Sequence, residues 1–285
     1  MKRLTIVLQR FALVFAGICA FTAGAQNSGN WCGFTSDAQL IQKIKALPPS
    51  PQGQAGSVAP IKCLNKTLSV AIHIVTDSLN HPNITQSQIN AGLDTLNHDF
   101  SPICLQFKIC SQDTIYNYKY YVFDKVLETP EVHAVYEVHN VINVYIVGSI
   151  VQPGVSGFAG TGGDYAVLSH TCVTDFKCWS HEFGHFFSLL HTFDTAAGAE
   201  LVNESNCATA GDLICDTPAD INPAPVSSGT CLWTGTNQDA NGDYYTPIIG
   251  NIMSYHPPGP CKTGFTVGQF NQMINYYLAA RTYLY

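Results

Sequence analysis

The stretch His181-Glu182-Phe183-Gly184-His185-Phe186-Phe187-Ser188-Leu189-Leu190-His191 contains H-E-x-x-H and a third histidine six residues later. On a helix, His181 and His185 lie about 40° apart on one face, so two imidazoles can bind one metal ion. Glu182 lies beside them and can act as a general base toward water. A continuous helix would carry His191 roughly 15 Å away. The helix must therefore break after His185 and fold back.

The composition is that of a globular chain with few charges. Of its 285 residues, 46% are hydrophobic and 12% are charged, which is enough for one sizeable domain and a short N-terminal segment. The formal net charge is −7, and the first 25 residues carry Lys2, Arg3 and Arg10 but no acid, so the remainder is near −10. This charge argues against nucleic acid and anionic membranes as partners.

Residues 1–25 are typical of a secretory signal. Lys2 and Arg3 precede an apolar run from Phe11 to Phe21, and Ala23-Gly24-Ala25 fits a cleavage site. That run is too short for a comfortable membrane span, and no later apolar stretch reaches 18 residues. We expect a secreted protein, extracellular or periplasmic, without membrane attachment once the signal is removed.

The cysteines predict disulfides. Cys19 leaves with the signal, and the remaining ten allow up to five bridges. Cys172 and Cys178 flank the start of the metal helix and are expected to pair locally, whereas Cys104 and Cys110 lie about 20 Å apart on an extended strand. Four cysteines of the C-terminal half are expected to form two bridges. Of three connectivities we favour Cys207–Cys231 with Cys215–Cys261.

Hydrophobic periodicity divides the chain into an ordered half and a loop-rich half. Strands are predicted at 68–76, 104–110, 118–123, 141–147 and, as an edge strand, 165–169, with a glycine-rich loop at 154–163. Helices are predicted at 37–47, 85–100 and 173–190, and a last one starts at Thr266, where Gln269 completes a capping box. Pro48–Pro60 has the composition of a linker, and residues 192–264 have that of loops.

The extended histidine motif resembles that of the metzincin metallopeptidases, in which a methionine turn follows at a distance. Asn251-Ile252-Met253-Ser254-Tyr255 is similar to that turn. The resemblance implies that Met253 is a hydrophobic support beneath the metal and that Tyr255 reaches the reacting centre. Without the resemblance, each would be an ordinary packed side chain.

A closer resemblance is to the pappalysins, the relatives of pregnancy-associated plasma protein-A. It rests on His191-Thr192-Phe193, Gly211 to Pro218, Asn251 to Tyr255, and Phe265-Thr266 with Gln269, and it covers roughly residues 65–280. It implies an α+β metzincin-like fold. An upper subdomain with a mixed twisted sheet and helices leads into the active-site helix, and a loop-rich, disulfide-pinned lower subdomain ends in a helix. Residues 26–64 would be a pro-segment or N-terminal extension, and residues 65–285 the catalytic domain.

The resemblance implies a secreted zinc endopeptidase that acts on protein or peptide substrates. His181, His185 and His191 would hold Zn²⁺, and Glu182 would take a proton from the zinc-bound water and pass it to the leaving amine. Tyr255 would stabilise the oxyanion. Where the family has glycine this chain has Ser188, and a left-handed turn there would cost about 1–2 kcal/mol.

Two further sites follow from the same resemblance. Asp212, Cys215 through its carbonyl, and Thr217 would form a Ca²⁺ site, with an ordinary Asp-rich turn as the alternative. Asp239 to Asp243 also spaces oxygens plausibly, but a surface turn is favoured there. Cys32-Gly33 resembles a cysteine switch that keeps the enzyme latent, and a disulfide, for example to Cys63, is the alternative.

Two questions stay open at this point. The first is whether the chain is instead a non-catalytic secreted binding module with a structural zinc, although an intact Glu182 argues against that. The second is subsite preference. The segment after the methionine turn, 256–260, carries no carboxylate and offers no local support for a preference for Arg or Lys.

Overall fold

The computed structural model describes residues 31–48, 62–160, 162–175, 177–222, 226–227, 230–256 and 261–285. The predicted signal and most of the predicted linker lie outside these ranges. The elements in chain order are α1 (Ala38–Lys45), β1 (Lys66–Val75), α2 (Gln86–Phe100), β2 (Leu105–Ile115), β3 (Val122–Phe123), α3 (Thr129–Tyr136), β4 (Ile142–Val147), β5 (Ser149–Ile150), β6 (Gly157–Ala159), β7 (Tyr165–Ser169), α4 (His170–Thr174), α5 (Cys178–Phe186), β8 (Val226–Ser227), β9 (Leu232–Trp233) and α6 (Val267–Tyr276), which continues into a π-helix (Tyr277–Arg281).

A five-stranded sheet in the order β2-β1-β4-β7-β6 forms the upper half of the molecule. The first four strands run parallel, and β6 pairs antiparallel to β7. Because β6 lies outside β7, the predicted edge position of 165–169 is wrong. The strand within the predicted glycine-rich loop forms the edge instead.

The main core lies between one face of this sheet and the helices α2 and α5. Leu68, Ile72 and Val144 from the sheet are fully buried with Leu96 of α2 and Phe183 of α5. Burial of this apolar surface, at roughly 25 cal/mol per Å², is the main force that packs the two helices against the sheet. A second core on the opposite face contains α3, β3 and β5.

Close contact between α2 and α5 depends on a glycine. A Cβ at Gly92 would lie 2.4 Å from Nε1 of the fully buried Trp179. Both predicted capping boxes are present, one at Thr85 with Gln88 and one at Thr266 with Gln269. They satisfy the first backbone N–H groups of α2 and α6 and so fix where each helix begins.

The predicted strand at 118–123 is mostly wrong. Tyr118–Tyr120 form a turn of 3₁₀ helix, because the Asn117 side chain accepts a hydrogen bond from the Lys119 N–H at 3.3 Å. Such side-chain bonds compete with sheet pairing. Only Val122–Phe123 is extended, and it pairs with Ser149–Ile150.

Four disulfides are present among the described residues: Cys63–Cys104, Cys172–Cys178, Cys207–Cys215 and Cys231–Cys261. The local Cys172–Cys178 pair is confirmed. The favoured Cys207–Cys231 and Cys215–Cys261 connectivity is wrong, because left-handed backbone at Gly211 and Leu213 folds the chain back and brings Cys207 within 5.0 Å of Cys215, measured between Cα atoms.

The N-terminal segment packs against the lower half of the molecule. The Asp37 side chain caps α1, and Leu40, Ile41 and Ile44 of that helix are buried against Leu190 and Leu213. Within the described ranges, no helix combines the length and apolar character that crossing a membrane requires.

Candidate active site

The predicted single metal helix is two helices. The first, α4, ends at Thr174, and the second, α5, begins at Cys178 and ends at Phe186. Ser188 adopts a left-handed conformation with φ 70°, and the Leu189 N–H donates to the Gly184 carbonyl at 2.9 Å. The predicted break of the helix after His185 is therefore confirmed, and Ser188 is the left-handed residue at the turn. It reverses the chain and returns His191 to the other two histidines.

The three histidines converge on one point. Nε2 of His185 lies 3.1 Å from Nε2 of His181 and 3.1 Å from Nε2 of His191. All three rings are buried. Nδ1 of His181 faces the Ile252 carbonyl at 2.7 Å, and Nδ1 of His185 faces the Leu189 carbonyl at 2.8 Å. These carbonyls require a proton on each Nδ1, so each Nε2 presents a lone pair to its neighbours.

Such a cluster fits a bound cation. Lone pairs that face one another without water repel, and a shared metal ion removes the repulsion. Burial lowers the pKa of His185 to about 3 and that of His181 well below its usual range. The imidazoles are therefore neutral, which is the form that binds metal. His181, His185 and His191 have the donor chemistry of a zinc site.

The methionine turn lies directly beneath this cluster. Met253 is fully buried, and its Sδ would be 2.5 Å from a Cβ added at Gly184 of α5. Glycine at this position of the motif therefore lets the turn approach the helix. Asn251 accepts the Met253 N–H at 2.8 Å and pairs with the side-chain amide of Gln269 on α6. The last helix thus fixes the turn that positions His181.

Cys32 and Glu182 complete the centre. The Cys32 thiol and the three histidine nitrogens all lie within 4.8 Å of one another, and the thiol donates to Glu182 Oε2 at 3.5 Å. Cys32 forms no disulfide, so the alternative pairing with Cys63 is wrong. Burial raises the pKa of Glu182 to about 8 and that of Cys32 well above its usual value. A divalent cation here would act in the opposite direction and favour both charged forms.

A cleft lies over the histidine cluster, between the edge strand β6 and Tyr255 of the methionine turn. The N-terminal segment occupies this cleft as an extended peptide. Trp31 accepts hydrogen bonds from the N–H groups of Ser156 and Gly157 at the edge of the sheet, and Gly33 donates to the Gly157 carbonyl at 2.7 Å. Two aromatic side chains flank Cys32. The Phe34 ring stacks on His185 at 3.7 Å between centroids, and the Trp31 ring lies 4.3 Å from that of His181.

Tyr255 donates its hydroxyl to the Cys32 carbonyl at 3.0 Å. The hydroxyl therefore reaches a peptide carbonyl beside the histidine cluster. Burial raises the pKa of Tyr255 well above its usual value, so the phenol keeps its proton. A neutral phenol in this position can donate to an oxygen that gains negative charge.

A family model described as pregnancy-associated plasma protein-A matches residues 131–278, just over half of the chain. The chain belongs to this family. An extracellular metalloprotease of Arthroderma benhamiae is 23% identical, over 93% of this chain and 89% of the relative. One from Colletotrichum graminicola is 26% identical, over 94% and 96%. A mutant of Tannerella forsythia promirolysin has a similar fold, with a TM-score of 0.54 and 15% identity over 88% of this chain and 95% of its own.

Membership in the pregnancy-associated plasma protein-A family makes the chain a metalloprotease, and it implies zinc as the metal of the histidine cluster. The predicted metzincin-like fold is confirmed by the parallel-rich sheet and by the similarity to promirolysin.

A second polar cluster lies in the lower half. Asp212 is fully buried and accepts hydrogen bonds from Thr217 Oγ1 at 2.9 Å and from the Ile214 N–H at 3.0 Å. Sequence reasoning missed Glu200, a buried acid whose carboxylate has no hydrogen-bond partner among the described residues. A Cβ at Gly211 would lie 2.2 Å from Glu200 Oε2. Burial raises the pKa of both acids, that of Glu200 to about 8, and the Glu200 charge adds to the effect on Asp212.

The Asp239–Asp243 segment is a turn, as favoured. Asp239 Oδ1 accepts the N–H groups of Asn241 and Asp243, and Oδ2 accepts that of Val202. The backbone therefore satisfies this carboxylate. No pattern in this segment distinguishes such a turn from a cation loop before the hydrogen bonds are known.

Sequence reasoning also missed a buried network beneath the methionine turn. Asp220 accepts hydrogen bonds from Thr192, next to His191, at 2.6 Å and from Ser254 at 2.9 Å. Lys262 donates to the carbonyls of Asn251 and Ser254. The network joins the third histidine to the turn. Isolated polar residues in a loop-rich sequence gave no signal for it.

Proposed function

We propose that this chain is a secreted zinc endopeptidase that is synthesised in a latent form. The observation that carries the proposal is the convergence of three imidazole nitrogens and Glu182 at the floor of a cleft that holds an extended peptide. Secretion is supported by the signal-like residues 1–25, by four disulfides and by relatives named extracellular metalloproteases.

In this proposal His181, His185 and His191 hold the zinc ion, and Met253 supports them from below. Bound zinc supplies a Lewis acid that polarises the water and the scissile carbonyl. Glu182 accepts the proton of the attacking water and returns it to the leaving amine. Tyr255 donates a hydrogen bond to the oxygen of the tetrahedral intermediate, a role supported by its present bond to a peptide carbonyl. The substrates are proteins or peptides.

Residues 26–64 act as the pro-segment, with Cys32 as the switch. The thiol lies where it can become the fourth ligand, and Phe34 and Trp31 cover the imidazoles beside it. A thiolate bound to zinc would close the position that water must occupy. Because Cys63 is bridged to Cys104, cleavage before Cys63 would release the part of the segment that carries Cys32 and uncover the cleft. The short peptide around Cys63 would stay attached to the catalytic domain, residues 65–285.

Glu200 joins Asp212, Thr217 and the Cys215 carbonyl in a calcium site. Two buried carboxylates with raised pKa values repel each other, and an unpartnered buried carboxylate is costly. Hard oxygen donors and two negative charges suit Ca²⁺. The Cys207–Cys215 bridge lies within this segment, so a bound ion would stiffen the lower rim of the cleft.

One observation favours a second candidate, a binding module with a structural zinc. Three histidines and one cysteine form a complete set of four protein ligands, which is the number that closed structural zinc sites have. The two candidates differ in Glu182, because a closed structural site needs no base. They also differ in what removal of the N-terminal segment does to activity.

The decisive test compares wild type with Glu182→Ala and Glu182→Gln after removal of the N-terminal segment. Zinc content is measured by atomic emission, and cleavage is measured on casein and on a peptide library. We expect one zinc per chain in all three proteins and a loss of cleavage by at least about 10³-fold in both variants. Equal cleavage by Glu182→Ala would overturn the catalytic assignment, and absence of cleavage by all three proteins would favour the structural-zinc candidate.

Latency is tested separately, under non-reducing conditions. The full-length protein is compared with a form that begins at Ala59, which retains the Cys63–Cys104 bridge, and with full-length Cys32→Ser. We expect the shorter form to be active and the Cys32→Ser chain to leak activity. Equal activity of the full-length and shortened forms would remove the cysteine switch.

The calcium proposal needs a measurement other than activity. Thermal unfolding in EDTA-treated, zinc-reloaded protein is followed with and without 5 mM CaCl₂, about 5–50 times the Kd of a weak extracellular site. Wild type should gain about 1–2 kcal/mol, and Glu200→Gln should gain much less. An equal gain in both proteins would place the ion elsewhere.

A further inference from the structure

Lys125 lies on the upper rim of the cleft and has no role in the mechanism above. Its ammonium donates to the Gly33 carbonyl and lies 5.3 Å from the centroid of the Phe158 ring on β6. Within the described part of the chain, it forms no ion pair with a carboxylate. Lys125 is half-buried, so its charge is partly removed from water and needs an acceptor.

The backbone around Lys125 holds it in place. Asp124 Oδ1 accepts the N–H groups of Val126 and Leu127, the Lys125 N–H faces Gln152 Oε1 at 3.4 Å, and Thr129 Oγ1 donates to the Lys125 carbonyl at 2.7 Å. These hydrogen bonds fix the backbone of the turn that carries the Lys125 side chain. A donor that is held in position before its ligand arrives loses little entropy on binding.

Lys125 and Tyr255 approach the same peptide from opposite rims. Tyr255 binds the Cys32 carbonyl, and Lys125 binds the next carbonyl, that of Gly33. The edge of the sheet binds the backbone of Trp31 and the Gly33 N–H. Together the sheet edge, Tyr255 and Lys125 form hydrogen bonds with consecutive backbone groups of the peptide, and none of these bonds involves a side chain of the peptide. This is the way in which a site recognises an extended chain of variable sequence.

We propose that Lys125 is a substrate-binding residue whose ammonium binds a main-chain carbonyl of the peptide in the cleft, next to the residue at the metal centre. In the latent protein that carbonyl belongs to Gly33, and after the N-terminal segment leaves it belongs to the substrate. The role of Lys125 in substrate binding rests on the proposed peptidase function. Burial lowers the pKa of Lys125, which is consistent with a charge that requires a partner.

The first measurement is independent of catalysis. The full-length protein has two free cysteines among the described residues, exposed Cys110 and buried Cys32, so a thiol reagent reports both in one experiment. Lys125→Met should expose Cys32 about tenfold faster relative to Cys110, because one charge-assisted hydrogen bond to the segment is lost. Lys125→Arg retains a donor and should stay close to wild type. Lys66→Met, at an exposed position at the start of β1, is the matched control.

The second measurement uses the same proteins after activation. Lys125→Met should raise KM about tenfold on several unrelated peptides. The fall in kcat should be smaller and should come from the lost charge, which lowers the pKa of Glu182 in wild type. Lys125→Arg keeps both the donor and the charge and should restore most of the loss. A KM within twofold of wild type in Lys125→Met would overturn the substrate role, and unchanged Cys32 labelling would overturn the hold on the N-terminal segment. If wild type cleaves nothing, the proposed peptidase function fails, and the labelling result still decides whether Lys125 binds the chain in the cleft.

Discussion

Ser188 offers a sharp test of how the turn of the motif is built. It has φ 70° and 1% exposure, and within the part of the chain that the structure describes its hydroxyl has no hydrogen-bond partner. A non-glycine residue in the left-handed region costs about 1–2 kcal/mol. Replacement by glycine removes this cost, but the greater freedom of glycine in the unfolded chain offsets about 0.5–1 kcal/mol of the gain. An unsatisfied buried hydroxyl costs about 1–3 kcal/mol, less the small void that its removal leaves.

These two costs are separable. Ser188→Ala removes the hydroxyl and keeps Cβ, so it should raise the free energy of unfolding by about 1 kcal/mol. Ser188→Gly also relieves the backbone and should add about 0.5–1 kcal/mol more. At roughly 2–4 °C per kcal/mol for a domain of this size, Ser188→Gly should melt about 3–8 °C higher than wild type.

Urea unfolding followed by circular dichroism measures the difference, in a Glu182→Ala background with excess zinc so that self-digestion does not interfere. Ser180→Ala is the matched control, because the Ser180 hydroxyl is equally buried but donates to Asp99 Oδ2 at 2.6 Å. That variant should be destabilised by about 1–3 kcal/mol. A Ser188→Gly protein no more stable than Ser188→Ala would refute the backbone argument, and a Ser188→Ala protein no more stable than wild type would refute the hydroxyl argument.

Three further predictions concern the support of the centre. Gly184→Ala should lower kcat at least tenfold, measured on a peptide substrate, because its Cβ would lie 2.5 Å from Met253 Sδ and would push the methionine turn from the helix. Asp99→Ala should destabilise the fold by about 3–5 kcal/mol in urea unfolding, because the Lys177 ammonium, 2.6 Å away, would lose its buried countercharge. Burial lowers the pKa of Lys262 to about 7, so between about pH 7 and 10 the unfolded chain binds a proton that the folded chain does not. Stability should therefore rise with pH in that window, by up to about 1.4 kcal/mol per unit, and Lys262→Met should flatten the rise; an unchanged slope would contradict the assignment.

The parts of the fold that the sequence predicted depend on local chemistry. The capping boxes at Thr85 and Thr266 place the starts of two helices correctly, because a side chain three residues away completes each cap. The break of the helix between His185 and His191 follows from the requirement that the third histidine return to the other two. Both conclusions need only distances along a few residues of chain.

The parts that the sequence did not predict depend on contacts between distant segments. Strand β6 has glycine at its start and is extended because it pairs with β7, not because of its own propensity. The Cys207–Cys215 bridge requires two left-handed residues whose conformation no periodicity reveals. Glu200 is a single acid in a loop and becomes a candidate ligand only when folding buries it near Asp212.

The contacts of the N-terminal segment connect the proposed latency with the proposed binding of substrate. A thiol alone could cover the metal, yet the cleft also binds the backbone of residues 31–33 through the sheet edge, Tyr255 and Lys125. Groups that bind the backbone do not distinguish the protein's own chain from another peptide. In the proposed latent form, the N-terminal segment therefore competes with substrate for the same donors, and we expect a variant that weakens the binding of one to weaken the binding of both. The backbone contacts would then set latency and substrate affinity together, and only Cys32 and its aromatic neighbours would affect latency alone.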